Sequence, residues 1–155
     1  MPLRFRLTRP EEYEHLEEMI IDSFAPVTWF RTLEERFGPL NGVGWRERWK
    51  KRFRHVFDTQ IILVGENEDG PAALATGTID DQARLGYIDL LGVDRRYQGR
   101  GYGRAMLHGM MEHMRQMGAL YVNLDCLVDN DRANHLYRSE GFQEVARHIR
   151  WFAKL

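Results

Sequence analysis

The sequence predicts an α/β (α+β) fold, in which a mixed, mostly antiparallel sheet is flanked by helices on both faces. Three apolar runs, at residues 61–64, 72–79 and 85–93, are separated by turn sequences too short for a crossover. We therefore expect them to be consecutive antiparallel strands. Patterns of helical periodicity lie before and after these runs. Because 155 residues suit one hydrophobic core, residues 1–155 are predicted to form a single domain.

The first sixty residues predict one strand and three helices. Residues 4–7 alternate polar with apolar side chains, as a strand does. Thr8 is the predicted N-cap of a helix whose apolar stripe is Leu16, Met19, Ile20 and Phe24. Mixed signals over 28–37 indicate a short second helix. Residues 45–57 carry aromatic side chains at helical spacing, and six basic residues but one acid occur within 45–54, so we predict a basic amphipathic helix.

The C-terminal half begins with a glycine-rich loop after the 85–93 strand. A helix follows, with apolar residues from Met106 to Met117 and Gly118 as its C-cap. Alternation then predicts a strand over 120–128. Asn130 is placed to cap a short helix that ends before residue 141. Residues 142–145 and 147–154 predict a closing β-hairpin.

The loop Gln98-Gly99-Arg100-Gly101-Tyr102-Gly103 has the composition of an anion site. The first N–H groups of a helix lack internal partners and attract negative charge, and glycine lets a phosphate approach the main chain. Arg96, Arg100 and Arg104 add cationic side chains nearby. A Walker loop is excluded because no Lys-Ser/Thr pair follows, and a dinucleotide G-x-G-x-x-G fails because its last glycine falls on Arg104 or Met106.

The loop resembles the Gln/Arg-x-x-Gly-x-Gly/Ala loop of the GNAT superfamily of N-acetyltransferases, which cradles the pyrophosphate of acetyl-CoA. A second segment, from Asn130 through Ala133, Leu136 and Tyr137 to Gly141-Phe142, is similar to the family's Asn-x-x-Ala-x-x-Leu-Tyr…Gly-Phe motif. The resemblance covers about residues 85–142. It implies acetyl transfer from acetyl-CoA, as cosubstrate, to an amine. The positions it assigns to acetyl-CoA are Leu91, Gly92, Val93, Gln98, Gly99, Arg100, Gly101, Tyr102, Gly103, Arg104 and Asn130.

The resemblance also implies two catalytic residues. Tyr137 matches the acid that protonates the CoA thiolate, although an aromatic residue on a short amphipathic helix is often only part of the core. Asp89 lies near the place where several family members hold a carboxylate base, and a hydrogen-bonded structural aspartate is equally compatible with the sequence. Alternation puts Asp89 on one strand face and Ile88 and Leu90 on the other. Asn130 is compatible with a pantetheine contact and with an ordinary N-cap.

Composition limits the other functions. A formal net charge of −1 argues against a nucleic-acid partner, and no apolar run is long enough to span a membrane. Cys126 is the one cysteine, and the first residues lack a signal-peptide core, so we expect a cytoplasmic protein. The histidines show no metal-ligand spacing, so no metal is expected. A homodimer is left open.

The sequence thus predicts an acetyl-CoA-dependent N-acetyltransferase in which a primary amine attacks directly in a ternary complex. The alternative is a CoA-binding regulatory or sensor domain with the same fold and little turnover. The acceptor is not specified: a small-molecule amine, a protein N-terminus and a lysine all fit. The basic helix over 45–57 either attracts an acidic substrate or simply presents its basic residues to solvent.

Overall fold

The computed structural model describes residues 2–155. Internal contacts divide the chain into a first compact unit that ends at Leu124 and a second over Asp125–Leu155. The prediction of one domain stays a prediction. None of the helices described between residues 2 and 155 is long and apolar enough to cross a bilayer.

The first unit contains the whole sheet, which has the order β1-β2-β3-β4-β5. The first four strands pair antiparallel, and β5 pairs with β4 in parallel. This arrangement confirms the mixed, mostly antiparallel sheet. The strands are β1 (Arg4–Leu7), β2 (Ile61–Asn67), β3 (Gly70–Asp80), β4 (Leu85–Val93) and β5 (Tyr121–Leu124).

Four helices belong to the first unit and one to the second. They are α1 (Tyr13–Phe24), α2 (Trp29–Phe37), α3 (Trp45–Thr59), α4 (Tyr102–Gln116) and, in the second unit, α5 (Asp131–Ser139). Thr28 caps α2 by accepting a hydrogen bond from the Phe30 N–H, and it also accepts one from Trp49 Nε1 at 2.8 Å. This buried threonine therefore ties the start of α2 to the middle of α3.

Helices cover both faces of the sheet, as predicted. On one face, Leu16 and Ile20 of α1 and Phe53 of α3 form a buried cluster with Leu74 of β3. On the other face, a Cβ at Gly77 would meet methionine side chains of α4. Residues 74 and 77 of β3 point to opposite faces of the sheet. The sheet therefore has α1 and α3 on one face and α4 on the other.

Two predicted details of the N-terminal unit change in the structure. Thr8 does not cap α1, because a 3₁₀ turn over Pro10–Glu12 precedes that helix. The Glu12 carboxylate instead accepts the Arg9 main-chain N–H at 3.0 Å. In addition, β5 is shorter than the predicted 120–128 strand, since its pairing with β4 ends at Leu124.

The predicted C-terminal hairpin is wrong. Throughout 142–154, all of it described, the chain has no strand, and Ile149 and Trp151 are exposed. Glu144 and Arg147 form a local ion pair instead. An isolated two-stranded hairpin is marginal in water and requires further strands, and the second unit has none among its described residues. Alternation alone therefore did not suffice to form strands here.

Candidate functional site

The glycine loop joins a 3₁₀ turn over Arg95–Tyr97 to the first turn of α4. Gly99 and Gly101 have φ values of +79° and +82°, a region that favours glycine. A Cβ at either glycine would meet no atom within 4 Å, so the main chain there borders open space. Gly101 is the N-cap of α4 and makes no side-chain capping bond. The first N–H groups of α4 therefore follow a glycine that borders open space, as an anion site requires.

Two tyrosines fix the loop at its two ends. The Tyr97 hydroxyl donates to Asp69 Oδ2 at 2.7 Å, and Asn67 Nδ2 lies 3.4 Å from the Tyr102 hydroxyl. Both rings are buried, with centroids 5.8 Å apart. Asn67 and Asp69 lie at the β2–β3 turn, so the loop is held against that turn. These two hydrogen-bonded tyrosines were not predicted from the sequence. The available signal was the presence of an aromatic residue on each side of the first two glycines.

The arginines around the loop differ in their partners. Arg96 pairs with Asp94 at 3.0 Å, and its hydrogen bonds hold the pKa of the Asp94 carboxyl below its usual value. The charge of Arg96 is thus balanced within the turn, contrary to the expectation that it adds cation to the loop. Arg100 lies over the Tyr97 ring at 5.5 Å, and Arg104 is in the first turn of α4. Gln98 turns its amide back to donate to the Val93 carbonyl at 3.2 Å.

The last residues of β4 lead directly to the loop. The Asp94 N–H donates to the Ala72 carbonyl of β3. Because bonding alternates along an antiparallel strand, the Gly92 N–H also points to β3. The N–H groups of Leu91 and Val93 point to the opposite edge of β4. Along that edge, β5 pairs only as far as Ile88 among the described strands. The Val93 N–H donates a hydrogen bond to Ser23 Oγ at 3.3 Å. Of the three predicted β4 positions, Leu91 and Val93 therefore present main-chain donors away from β3.

Asp89 lies at a β-bulge that the sequence did not predict. Thr76 pairs with Leu90 and Gly77 with Ile88, so Asp89 is the extra residue of β4. Ile88 and Leu90 consequently point to opposite faces, and the predicted regular alternation around Asp89 is wrong. A Cβ at Gly77 would lie 2.3 Å from the Tyr87 carbonyl oxygen. Glycine at position 77 thus makes room for the bulge.

The bulge directs the Asp89 carboxylate to α3. Arg52 Nη2 donates to Oδ1 at 2.7 Å and Gln60 Nε2 donates to Oδ2 at 2.8 Å, while the Asp89 side chain is 10% exposed. Gln60 Oε1 is buried with no partner among the described residues. Each carboxylate oxygen has a second lone-pair site, so the clamped group still has capacity to accept a proton or a hydrogen bond.

The second unit carries the two remaining predicted residues. Asn130 caps α5, since its side chain accepts the Ala133 N–H at 3.3 Å. Tyr137 is half-buried, and its ring centroid lies 5.8 Å from that of Phe142. Burial, helped by the nearby Cys126 and Asp125, raises the pKa of Tyr137 to about 12. The phenol therefore keeps its proton at neutral pH, as a general acid must.

A cavity of about 420 Å³ lies beside the loop, between α1 and the 3₁₀ turn that follows β4. None of the loop glycines is in its wall. Among residues 2–155, no three His, Cys, Asp or Glu side chains are grouped to hold a metal ion. The lining residues are His15, Glu18, Met19, Asp22, Asp94, Arg95 and Arg96.

Comparison with known proteins identifies the family. The profile of the Acetyltransferase (GNAT) family matches residues 27–142, which include β4, the glycine loop and α5. The chain belongs to the GNAT family. Membership also accounts for the two motifs found in the sequence, since both lie inside the matched range.

Individual GNAT relatives match parts of the chain. The mycothiol acetyltransferase of Propionibacterium freudenreichii is 33% identical over 96 residues, which are 60% of this chain and 31% of the relative. N-alpha-acetyltransferase RimI of Mycobacterium tuberculosis is 43% identical over 65 residues, 42% of this chain and 39% of the relative. This chain spans a third or less of the first curated relatives that it matches, with shares of 31%, 32% and 22%.

A solved GNAT structure supports the fold. AAC(6')-Iy, in complex with the bisubstrate analog CoA-S-monomethyl-acetylneamine, aligns over 100% of both chains with a TM-score of 0.69. The two sequences are 10% identical, so this likeness concerns the fold alone.

Proposed function

We propose that this chain is an N-acetyltransferase that moves an acetyl group from acetyl-CoA to a primary amine, by direct attack in a ternary complex. The observation that carries the proposal is the open loop at the start of α4, where Gly99 and Gly101 adopt positive φ values. In a member of the GNAT family, such a loop suits the pyrophosphate of acetyl-CoA. The same residue types suit no Walker or dinucleotide loop.

The proposal assigns acetyl-CoA binding to main-chain groups of the first unit and to Asn130. The main chain from Gln98 through Gly99, Arg100, Gly101, Tyr102 and Gly103 to Arg104 contacts the pyrophosphate. Leu91 offers its N–H group to the thioester carbonyl, whose oxygen becomes negative during attack. Val93 is assigned to the pantetheine arm, for which its N–H exchanges the present bond to Ser23 Oγ. Gly92 is assigned to the site by the family resemblance, and its small size serves the packing of α1, because a Cβ there would lie 2.6 Å from Ile20.

The reaction requires one proton to leave the amine and one to reach the sulfur. A lysine-like amine with a pKa of about 10.4 is mostly charged at pH 7, so Asp89, directly or through water, is proposed to accept its proton. The free amine then forms the C–N bond as the C–S bond breaks. The Tyr137 hydroxyl, whose pKa is raised to about 12, is proposed to donate a proton to the departing thiolate.

The acceptor is an amine on a small molecule, a protein N-terminus or a lysine, and the proposed place of action is the cytoplasm. The relatives are named mycothiol acetyltransferase, N-alpha-acetyltransferase and glucosamine 6-phosphate N-acetyltransferase, so their names favour no single acceptor. A homodimer, like the acceptor, is left to experiment.

The test is release of free CoA thiol from acetyl-CoA in the presence of a panel of amines, with each amine omitted in turn. Amine-dependent thiol release at turnover rates supports the proposal. Tight CoA binding with no amine-dependent release for any acceptor would instead support the CoA-binding regulatory alternative.

A further inference from the structure

Arg48 of α3 is a half-buried cation that stacks on aromatic rings. Its guanidinium carbon lies 4.2 Å from the centroid of the Phe30 ring and 5.7 Å from that of Trp29. Stacking of this kind stabilises a guanidinium and restricts its rotation while leaving its in-plane N–H donors available. Arg48 is therefore positioned by the α2 aromatics before any ligand arrives.

Four other cations of α3 form ion pairs, and one of them is Arg54, which pairs with Asp58 at 2.6 Å. Arg46 pairs with Asp22 at 3.3 Å, Lys50 with Glu47 at 3.3 Å and Arg52 with Asp89 at 2.7 Å. The Arg48 guanidinium, in contrast, has no carboxylate within ion-pair distance and no hydrogen-bond acceptor among residues 2–155. A half-buried guanidinium loses part of its hydration, so an unpaired one favours an incoming anion.

Arg48 lies one helical turn from Arg52, which holds the carboxylate proposed as the catalytic base. Positions 48 and 52 are four apart on α3, so their side chains share one helix face and their Cβ atoms are about 6 Å apart. Arg52 holds the Asp89 carboxylate. One turn of α3 therefore carries both an unpaired cation and the arginine that holds the carboxylate proposed to accept the amine proton.

We propose that Arg48 binds an anionic group of the acceptor, which makes the substrate class amines that carry a carboxylate or a phosphate. The proposal rests on the acetyltransferase function proposed above and specifies its acceptor. The amine is directed to Asp89 of β4 and the anionic group to Arg48 of α3, so a single acceptor carries one group for each charge. A guanidinium suits either anion because its planar N–H pair matches two oxygens.

Binding is measured by calorimetry on the full chain saturated with CoA, which has no acetyl group to transfer. The probes are two matched pairs: phenylalanine with phenylalaninamide, and phosphoethanolamine with ethanolamine. The first pair tests a carboxylate and the second a phosphate. Wild-type protein is expected to bind at least one anionic member about tenfold to a hundredfold more tightly than its neutral partner.

The variant Arg48→Gln is expected to abolish that preference and to leave affinity for the neutral amines unchanged. Arg48→Lys keeps the charge but not the paired donors, so it retains part of the preference. Lys51→Gln, which removes an exposed cation from the same helix, is the control and keeps the full preference. A melting curve of each variant verifies folding.

Two results would overturn the assignment: equal binding of both members of each pair by wild-type protein, or a preference that survives in Arg48→Gln. Because CoA replaces acetyl-CoA, neither result depends on turnover. Failure of the acetyltransferase proposal appears separately, as absence of amine-dependent thiol release from acetyl-CoA.

Discussion

Substitution of Gly101 by aspartate tests the anion site at its centre. A Cβ at this position meets no atom within 4 Å, and φ is +82°, a conformation that Asp and Asn adopt more readily than other residues. The cost to folding is therefore about 1 kcal/mol. The cost to binding is larger, because a carboxylate about 5 Å from a doubly charged pyrophosphate is repelled by about 2 to 6 kcal/mol, depending on the local dielectric. CoA affinity should fall at least about thirtyfold.

Two matched variants separate charge from backbone strain. Gly101→Asn has nearly the same shape without the charge, so the difference between Asp and Asn measures the repulsion. Gly118→Asp places the same carboxylate on a glycine with φ of +102° at the far end of α4, about 22 Å away along a helix of 15 residues. Calorimetric titration of CoA is the assay, with melting curves for folding. Wild-type affinity in a folded Gly101→Asp protein would refute the loop assignment.

Two further predictions concern Tyr137 and an ion pair in the first unit. Tyr137→Phe should lower kcat about tenfold to a few hundredfold with little change in acetyl-CoA binding, because only the donated proton is removed. Full activity with a lowered melting temperature would indicate a packing role instead. Since the pKa of Tyr137 is raised to about 12, this phenol should cause no loss of kcat below about pH 11. Glu12→Gln should lower the free energy of unfolding in urea at pH 7 by about 1 to 3 kcal/mol, because Glu12 and Arg6 are largely buried partners. Burial alone would raise the pKa of Glu12, but hydrogen bonds from Arg6 and the Arg9 main chain lower it. The difference from wild type should thus be present above about pH 4.3 and shrink as the pH falls below it. Glu35→Gln, at an exposed pair with Arg31, should cost under about 0.5 kcal/mol, and an equal effect of the two substitutions would contradict the argument.

Local patterns were sufficient for the elements that depend on local physics. Both ends of β4 were predicted correctly, because apolar residues run from one turn to the glycine loop. Asn130 was correctly placed as the cap of α5, since capping involves residues three apart. The glycine loop was located by the same kind of evidence, because glycine adopts the positive φ values found at Gly99 and Gly101 without steric cost.

Features that depend on distant partners were missed. The bulge at Asp89 exists only relative to β3, so no pattern within β4 reveals it. The clamp on Asp89 comes from Arg52 and Gln60, which are 37 and 29 residues away in sequence. The hairpin over 142–154 failed for a related reason: alternation describes its two strands, but a two-stranded hairpin needs further strands or a packed helix to be stable.

The proposal that the chain transfers acetyl groups to amines is tested most directly by following an acetyl-CoA labelled with ¹³C in both acetyl carbons. Mass spectrometry of the amine and a thiol assay are performed on the same sample. The acetyltransferase proposal predicts a labelled N-acetyl product and one free CoA thiol for each acetyl group transferred. Label that stays on CoA, in a protein that binds CoA tightly and meets the full amine panel, would contradict it.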